Sequence, residues 1–542
     1  MKISISLPKF AVLAASLLIS QAYAAAAFTP DQQPLGFIGP IELSDSNLVG
    51  GVKGYRGWFE NGAWQGDLIE YDISAGGALS TSIDLLGVSP VQTDGTNWSA
   101  YLQFDTNDDV ASYWNTGRKI ITRNGTAQVP FRWKTISASQ RSAIEANVAS
   151  GDPGGDSTSN ILNFIRGDRS LESPAGTYRA RYSLLGDIIH SKPEYVKVPS
   201  AEIPDSSYVT FINANLTRAP RVYVGANDGM LHAFDATNGN EVWAYIPSMV
   251  IDNVSKLAGR PFSHNYFVDG GTTASDGYFA GDTAWHTVLV GSLGSGGKGL
   301  YALDVTHPGL SAETATTGND KKILWEIDEN TSLVGDDVGY VMGSAVIAKL
   351  NDDVWYAVTG NGVSSVNGVA KLFIINLETG AVKSLTAGSA NGNGLSPPAL
   401  VDTDNDGRAD IVYAGDIDGD LWKFDLTGVT PASWYTAYEL YDGAGTQPIT
   451  TAPEVTTHPV FGHLVLYGTG RLYTADDILN TDTQALFGIW DKGTAPVADT
   501  KLAKLFSDDH DYLSGEFSET VRTIETETPI NWSTHTGWIT EL

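Results

Sequence analysis

From about residue 182 onward, apolar residues alternate with polar or glycine positions in short runs, and the runs recur in one order. Arg221-Val222-Tyr223-Val224-Gly225 leads through Asn227-Asp228-Gly229 to Leu231-His232-Ala233-Phe234-Asp235, then to Asn238-Gly239 and Trp243. The order returns at 288–291, 299–304 and Trp325. It returns again at 356–360 with 372–376, at 411–415 with Asp418-Gly419 and 421–425, and at 464–468 with 485–491. A period of two predicts strands, and Asn-Gly or Asp-Gly between two such runs predicts tight hairpins. Each unit reads as a strand, a glycine turn, an alternating strand and a polar end. One such sheet cannot bury both faces alone, so the copies must stack, and radial stacking protects the strand edges. The expectation is a mainly β protein with a β-propeller over residues 181–542. The intervals Asp235 to Asp304, Asn376 to Asp425 and Asp425 to Asp491 are uneven. Insertions fill the excess, and insertions are where binding surface usually lies.

Residues 25–180 follow a weaker pattern and form an irregular N-terminal region with short helices. Gly57-Trp58-Phe59 and the run 66–72 predict a strand pair. Residues 137–150 predict a helix with serines available for capping, and the sequence GDPGGDSTS at 151–159 reads as a connector. Ile161, Leu162, Phe164 and Ile165 form one apolar helical face, and Gly167 stands where a helix-ending glycine would. This produces the triplet Arg166-Gly167-Asp168, which reads either as an integrin-type adhesion signal or as a plain helix terminus.

The first 24 residues read as a secretory signal. Lys2 and Lys9 supply positive charge, residues 10–19 supply a short apolar run, and Ala22-Tyr23-Ala24 is a small-x-small cleavage site. The mature chain is expected to be exported, with no membrane span after cleavage. Its 33 basic and 63 acidic residues give a formal net charge of −30, which argues against nucleic acid and against anionic membrane surfaces as partners. There is no cysteine. Disulfides and thiolate chemistry are thereby excluded; an exported protein then needs another way to pin its loops, and a bound metal ion would serve.

The densest candidate chemistry lies in Asp402-Thr403-Asp404-Asn405-Asp406-Gly407-Arg408-Ala409-Asp410. Carboxylates stand at loop positions 1, 3, 5 and 9, with glycine at position 6, which matches the first nine positions of an EF-hand calcium loop. Alternate side chains of a tight loop turn inward, so Asp402, Asp404 and Asp406 converge. Gly407 allows the reversal, the Arg408 carbonyl supplies the seventh position, and Asp410 closes the ring directly or through water. Four crowded carboxylates repel until a hard divalent ion such as Ca²⁺ joins them. Position 12 is Tyr413 rather than Glu, and strand patterns flank the loop, so the expectation is a calcium loop between strands. Asp105-Thr106-Asn107-Asp108-Asp109 carries a weaker form of the pattern, with no glycine and Tyr113 at position nine. His190, His232, His264, His286 and His463 show no ligand spacing and read as structural histidines.

Several of these stretches together resemble a known family. They are Leu185-Gly186-Asp187-Ile188-Ile189-His190-Ser191-Lys192-Pro193, the run 223–235, the 402–410 loop with its Asp-Leu-Trp partner strand, Tyr467-Gly468-Thr469-Gly470-Arg471, and 487–491. Residues 164–170, which contain the Arg-Gly-Asp triplet, also fit. The copies resemble quinoprotein repeats, and the chain is similar to the C-terminal region of PilC/PilY-type proteins at type IV pilus tips. The resemblance implies a modified propeller, either complete in a short form or truncated near Gly537-Trp538. Its calcium ligands map onto Asp402, Asp404, Asp406, Asp410 and the Arg408 carbonyl. It implies roles in pilus biogenesis (extension against retraction), twitching motility and adhesion. The implied partners are minor pilins at the pilus tip and a host-cell or surface receptor, and the implied locations are the periplasm, the outer cell surface or the pilus. It implies no catalytic residue. Two alternatives use the same repeat fold: a PQQ-dependent dehydrogenase, and a scaffold propeller whose calcium is purely stabilising.

Overall fold

In the computed structural model, the structure describes residues 29–31, 41–44, 52–60, 62, 64–73, 97–108, 112–146, 160–199, 203–332, 334–388, 392–443, 445, 447–493, 497–514, 517–525 and 530–542. The expected signal segment and the 151–159 connector lie outside them. Among the described residues, no helix is long and apolar enough to cross a membrane.

The repeats become antiparallel sheets that act as propeller blades. The first blade pairs Glu194–Val196, Arg221–Ala226, Met230–Asp235 and Glu241–Ile246 in sequence order. Four further blades follow, three of four strands and a fifth blade that carries an extra strand. The second blade runs from Thr272–Phe279 to Ile323–Asp328, the third from Val346–Lys349 to Val382–Ala387, and the fourth from Ala399–Val401 to Tyr435–Tyr441. The fifth begins with Glu454–Thr457, His463–Gly468 and Ala485–Asp491 and then takes Gly537–Glu541 as its fourth strand, with Leu502–Lys504 parallel beside it. The long hairpin of Phe506–Ser514 with Phe517–Glu525 is inserted between those last two strands. First strands of neighbouring blades pack side by side: Glu194–Val196 on Thr272–Phe279, that strand on Val346–Lys349, and Ala399–Val401 on Glu454–Thr457.

Strand alternation decides which neighbour each side chain meets. In Ile411–Gly415, Val412 and Ala414 join a buried cluster with Val358, Leu372 and Ile374 of the third blade. Tyr413, between them, joins Val465, Phe487 and Ile489 of the fifth. The second and third blades meet in the same way through Val290, Trp325, Phe373 and Ile375. A fully buried side chain of this kind contributes about 1.5–3 kcal/mol, so the stacked faces rather than any one sheet hold the fold.

The N-terminal region is woven into this frame. Its predicted strand pair is Val52–Glu60 with Gln65–Ile73, with Ile41–Leu43 added. Tyr55 and Leu68 pack on Val222, Val224 and Phe234 of the first blade. Ile120–Asn124 and Ala127–Pro130 extend the first blade, the former parallel to Glu241–Ile246. The helix expected over 137–150 is Ala138–Ala146. It opens on a capping box in which Ser137 Oγ accepts from Gln140 N–H and Ser137 N–H donates to Gln140 Oε1. The segment 29–31 reaches the far end of the chain: Asp31 N–H donates to the Tyr473 carbonyl at 2.8 Å, and Asp31 Oδ2 accepts from Ala475 N–H.

Candidate metal centre

The loop 402–410 joins the first two strands of the fourth blade, Ala399–Val401 and Ile411–Gly415. In the third blade the same connection runs only from 350 to 354. The longer loop reverses at Asn405 (φ 60°) and Gly407 (φ 86°). A β-carbon at 407 would lie 3.7 Å from Pro204, an ordinary contact, so conformation rather than space calls for glycine there.

Both ends of the loop are fastened. Asp410 N–H donates to the Val401 carbonyl at 2.8 Å, Ala409 N–H to the Lys349 carbonyl at 2.9 Å, and Leu426 N–H to the Asp410 carbonyl at 2.7 Å. The Asn351 amide, on the third blade, donates to Asp410 Oδ1 at 2.9 Å and to the Leu426 carbonyl at 3.0 Å. Thr403 donates its N–H to Asp410 Oδ2 at 2.8 Å and its hydroxyl to the same oxygen. Burial pushes the Asp410 carboxyl up, but these bonds from Thr403 and Asn351 outweigh it and hold it below its ordinary value.

Asp402, Asp404 and Asp410 each place a carboxylate oxygen within 4.8 Å of the others. The exposed Asp404 carboxyl is raised above its ordinary value by desolvation in the loop and by the charges of Asp406, Asp410 and Asp402. The loop amides lean into this negative centre: Gly407 N–H donates to Asp402 at 2.8 Å, and Asp406 N–H to Asp402 and Asp404 at 3.2 Å each. Asp406 itself is not in the gathered group. Its Oδ2 accepts from Arg408 Nη1 at 2.8 Å and its Oδ1 from Arg408 N–H at 2.8 Å. The other edge of the Arg408 guanidinium holds Asp353 Oδ1, with Nη2 at 2.6 Å and Nε at 3.1 Å. Three converging carboxylates whose mutual repulsion shows in Asp404 are a donor set of the right chemistry for a hard divalent ion. A groove of about 550 Å³ runs beside the loop, with Pro204, Trp285, Lys349 and Trp355 on its walls and Asp406 and Arg408 on the loop side.

Sequence reading missed Asn351 and Asp353. Both sit in Asn351-Asp352-Asp353, the corresponding turn one blade earlier, so the repeat register was the signal that would have found them. It also missed a second convergence, of Asp420, Glu439 and Asp442, on the Asp418-Gly419 side of the same blade. Tyr413, at the twelfth loop position, is buried: its hydroxyl donates to Asp491 of the fifth blade at 2.6 Å. The weaker acidic run is not a turn, because Asp105 to Asp108 lie within the helix Ala100–Asp108.

Four of the histidines pair with carboxylates. His190 meets Asp269 at 2.6 Å, His264 meets Asp187 at 2.7 Å, and His286 meets Asp304 at 2.8 Å. The fully buried His232 stands between Glu241 and Asp228. The Arg-Gly-Asp triplet ends the helix Asn160–Arg166, with Gly167 at φ 123° and the 167 and 168 amides bonded back to Phe164 and Asn163. Arg166 is 0% exposed. It pairs with Glu313 at 2.7 Å and donates to the Phe131 and Trp114 carbonyls at 3.1 Å. An adhesion signal needs its arginine presented to a receptor, and here that side chain is part of the core.

Comparison with known proteins agrees with this architecture. Residues 185–506 match the family described as the PilY1 beta-propeller domain. The type IV pilus biogenesis factor PilY1 of Pseudomonas aeruginosa strain PAK is 38% identical over 523 residues, covering 88% of this chain and 42% of that protein. A PilY1 homolog of Xylella fastidiosa is 36% identical over 424 residues, covering 70% of this chain and 28% of that one. The chain thus spans less than half the length of these relatives. The crystal structure of the P. aeruginosa PilY1 C-terminal domain superposes with a TM-score of 0.53 at 37% identity, over 64% of this chain and 77% of that one. A propeller of stacked four-stranded blades, an aspartate loop between the first two strands of one of them, and this extended likeness place the chain in the PilY1 beta-propeller family.

Proposed function

We propose that this chain is an exported, calcium-binding protein of type IV pilus biogenesis, acting in pilus extension against retraction, in twitching motility and in adhesion. The observation that carries the reading is the convergence of Asp402, Asp404 and Asp410 in a loop whose spacing is that of a calcium site. Likeness to PilY1 over 88% of the chain supports the pilus role. In this reading Asp402, Asp404, Asp406, Asp410 and the Arg408 carbonyl hold the ion, and Asn351 and Thr403 orient Asp410. Bound calcium supplies the positive charge that the acidic loop lacks. The loop then keeps one conformation beside the Trp285–Trp355 groove, which makes docking of a minor pilin or a surface receptor calcium-dependent. No catalytic role is part of the proposal, and the relatives are named as biogenesis factors rather than as enzymes.

Two measurements test it. Calorimetric titration with calcium is expected to show one site in the native chain and a loss of at least tenfold in affinity in the Asp402→Ala/Asp410→Ala double variant; equal binding by both would end the calcium reading. Complementing a strain that lacks its own copy is expected to restore piliation and twitching with the native gene and not with the double variant. Full restoration by the variant leaves calcium a stabilising role only, in which case it raises Tm without changing partner binding.

A further inference from the structure

The Arg408 side chain stands between two carboxylates that cannot both keep it once a metal arrives. Its Nη1 holds Asp406 at 2.8 Å, and its Nη2 holds Asp353 of the third blade at 2.6 Å. Asp353 also takes Lys349 at 2.9 Å. Asp406 is the one loop carboxylate outside the gathered three, and its Oδ2 is held by the guanidinium. For Asp406 to become a ligand it must leave that guanidinium. Asp353 lies outside the loop, so it can keep the arginine while Asp406 goes.

We infer that Arg408 is a built-in competitor for calcium: its guanidinium stands in for the ion at Asp406 in the metal-free loop, and Asp353 on the neighbouring blade receives it when Asp406 turns inward. The inference rests on the calcium reading above and concerns only how that site is tuned. The position-7 ligand is a backbone carbonyl, so replacing the Arg408 side chain leaves the donor set whole. Both ion pairs are partly exposed, with side-chain exposures of 29% for Arg408, 37% for Asp406 and 64% for Asp353. The competition is therefore modest and salt-sensitive. It gives a site that stays closed to calcium at low concentration and fills as the concentration rises. It also moves a positive charge on the groove wall, because Arg408 and Asp406 both line the groove.

The test is calcium calorimetry on the full chain in four forms: native, Arg408→Gln, Asp353→Asn, and the two combined, each at low and at half-molar salt. Arg408→Gln is expected to tighten binding about threefold to tenfold, with the gain shrinking at high salt. Asp353→Asn is expected to weaken binding about twofold to fivefold, because the arginine then has Asp406 alone. In the Arg408→Gln background the second change is expected to do nothing further, since Asp353 acts only through the arginine. Unchanged or weaker binding by Arg408→Gln overturns the inference and leaves the calcium site standing. So does an Asp353→Asn effect of equal size in both backgrounds, which is what a simple change of net charge would give. Absence of calcium heat in the native chain overturns the reading beneath it, a different result from either.

Discussion

At the scale of single residues, burial decides what a motif can mean. Arg166 belongs to a recognisable tripeptide, yet its guanidinium is enclosed with Glu313, which also takes Arg132 at 2.7 Å and the Ile120 amide at 2.9 Å. Burial pushes the Arg166 guanidinium down to about 10, against the charge of Glu313. Replacing it by alanine leaves that carboxylate short of a partner inside the protein. Arg166→Ala is expected to lower stability by about 3–5 kcal/mol in urea unfolding, whereas Asp168→Glu, at the less buried end of the triplet, changes it by less than about 1 kcal/mol. Sequence reading could name both uses of the triplet but not choose between them. The partner that decides, Glu313, lies 147 residues away with no periodic signal joining the two. The aspartate loop was closer to the opposite case, because its carboxylates are local: three of the four, Asp402, Asp404 and Asp410, gather, and Asp406 does not.

At the scale of the element, the repeats were legible nearly to the residue. The runs 299–304, 411–415, 421–425 and 485–491 are strands with those ends. Each was written as alternation bounded by glycine or aspartate. The strands that escaped notice lack such a pattern or pair out of order: Ile120–Asn124 lies parallel to a strand more than a hundred residues later, and Leu502–Lys504 is only three residues long. Propensity does not report partners of that kind. What joins one blade to the next was also unreadable. Between the fourth and fifth, Lys423 meets Asp491 at 2.6 Å, and Tyr413 and Tyr438 donate their hydroxyls to the same carboxylate at 2.6 and 2.8 Å. Burial pushes Asp491 up, but Lys423 and Tyr413 outweigh it and hold it below its ordinary value. Asp491→Ala strands a buried ammonium and two phenols. The expected cost is about 3–5 kcal/mol, seen as a lower unfolding midpoint and as faster hydrogen exchange in the amides of 411–415 and 485–491.

At the scale of the whole molecule, four ionisable groups lean one way. Burial alone would push the His232 imidazole down, but Asp228 and Glu241 outweigh it and lift it to about 9. Burial lifts Asp67 to about 7, burial and Glu42 lift Glu194 to about 7, and burial and Asp420 lift Asp416 to about 7. In all four the folded protein holds its proton more tightly than the unfolded chain. The stability each contributes is complete at low pH and is lost as pH rises through the folded value, near 7 for the carboxyls and near 9 for His232. The repulsion within a net charge of −30 grows in the same direction. Urea unfolding is therefore expected to show a loss on the order of 2 kcal/mol or more between about pH 6 and pH 9. His232→Gln is expected to flatten the upper part of that curve; an unchanged slope would show that the imidazole is not charged in the fold.

The contact of Asp31 with Tyr473 and Ala475 bridges 444 residues of sequence. A ribosome makes the first of these residues long before the last, so this seam is sewn only once the chain has been made through residue 475, within the fifth blade. The order also runs backwards under load. Tension entering at Asp31 meets one backbone hydrogen bond, to the Tyr473 carbonyl, and one from the Ala475 N–H to the Asp31 carboxylate, so this seam would part as a fuse while the stacked blades stayed whole.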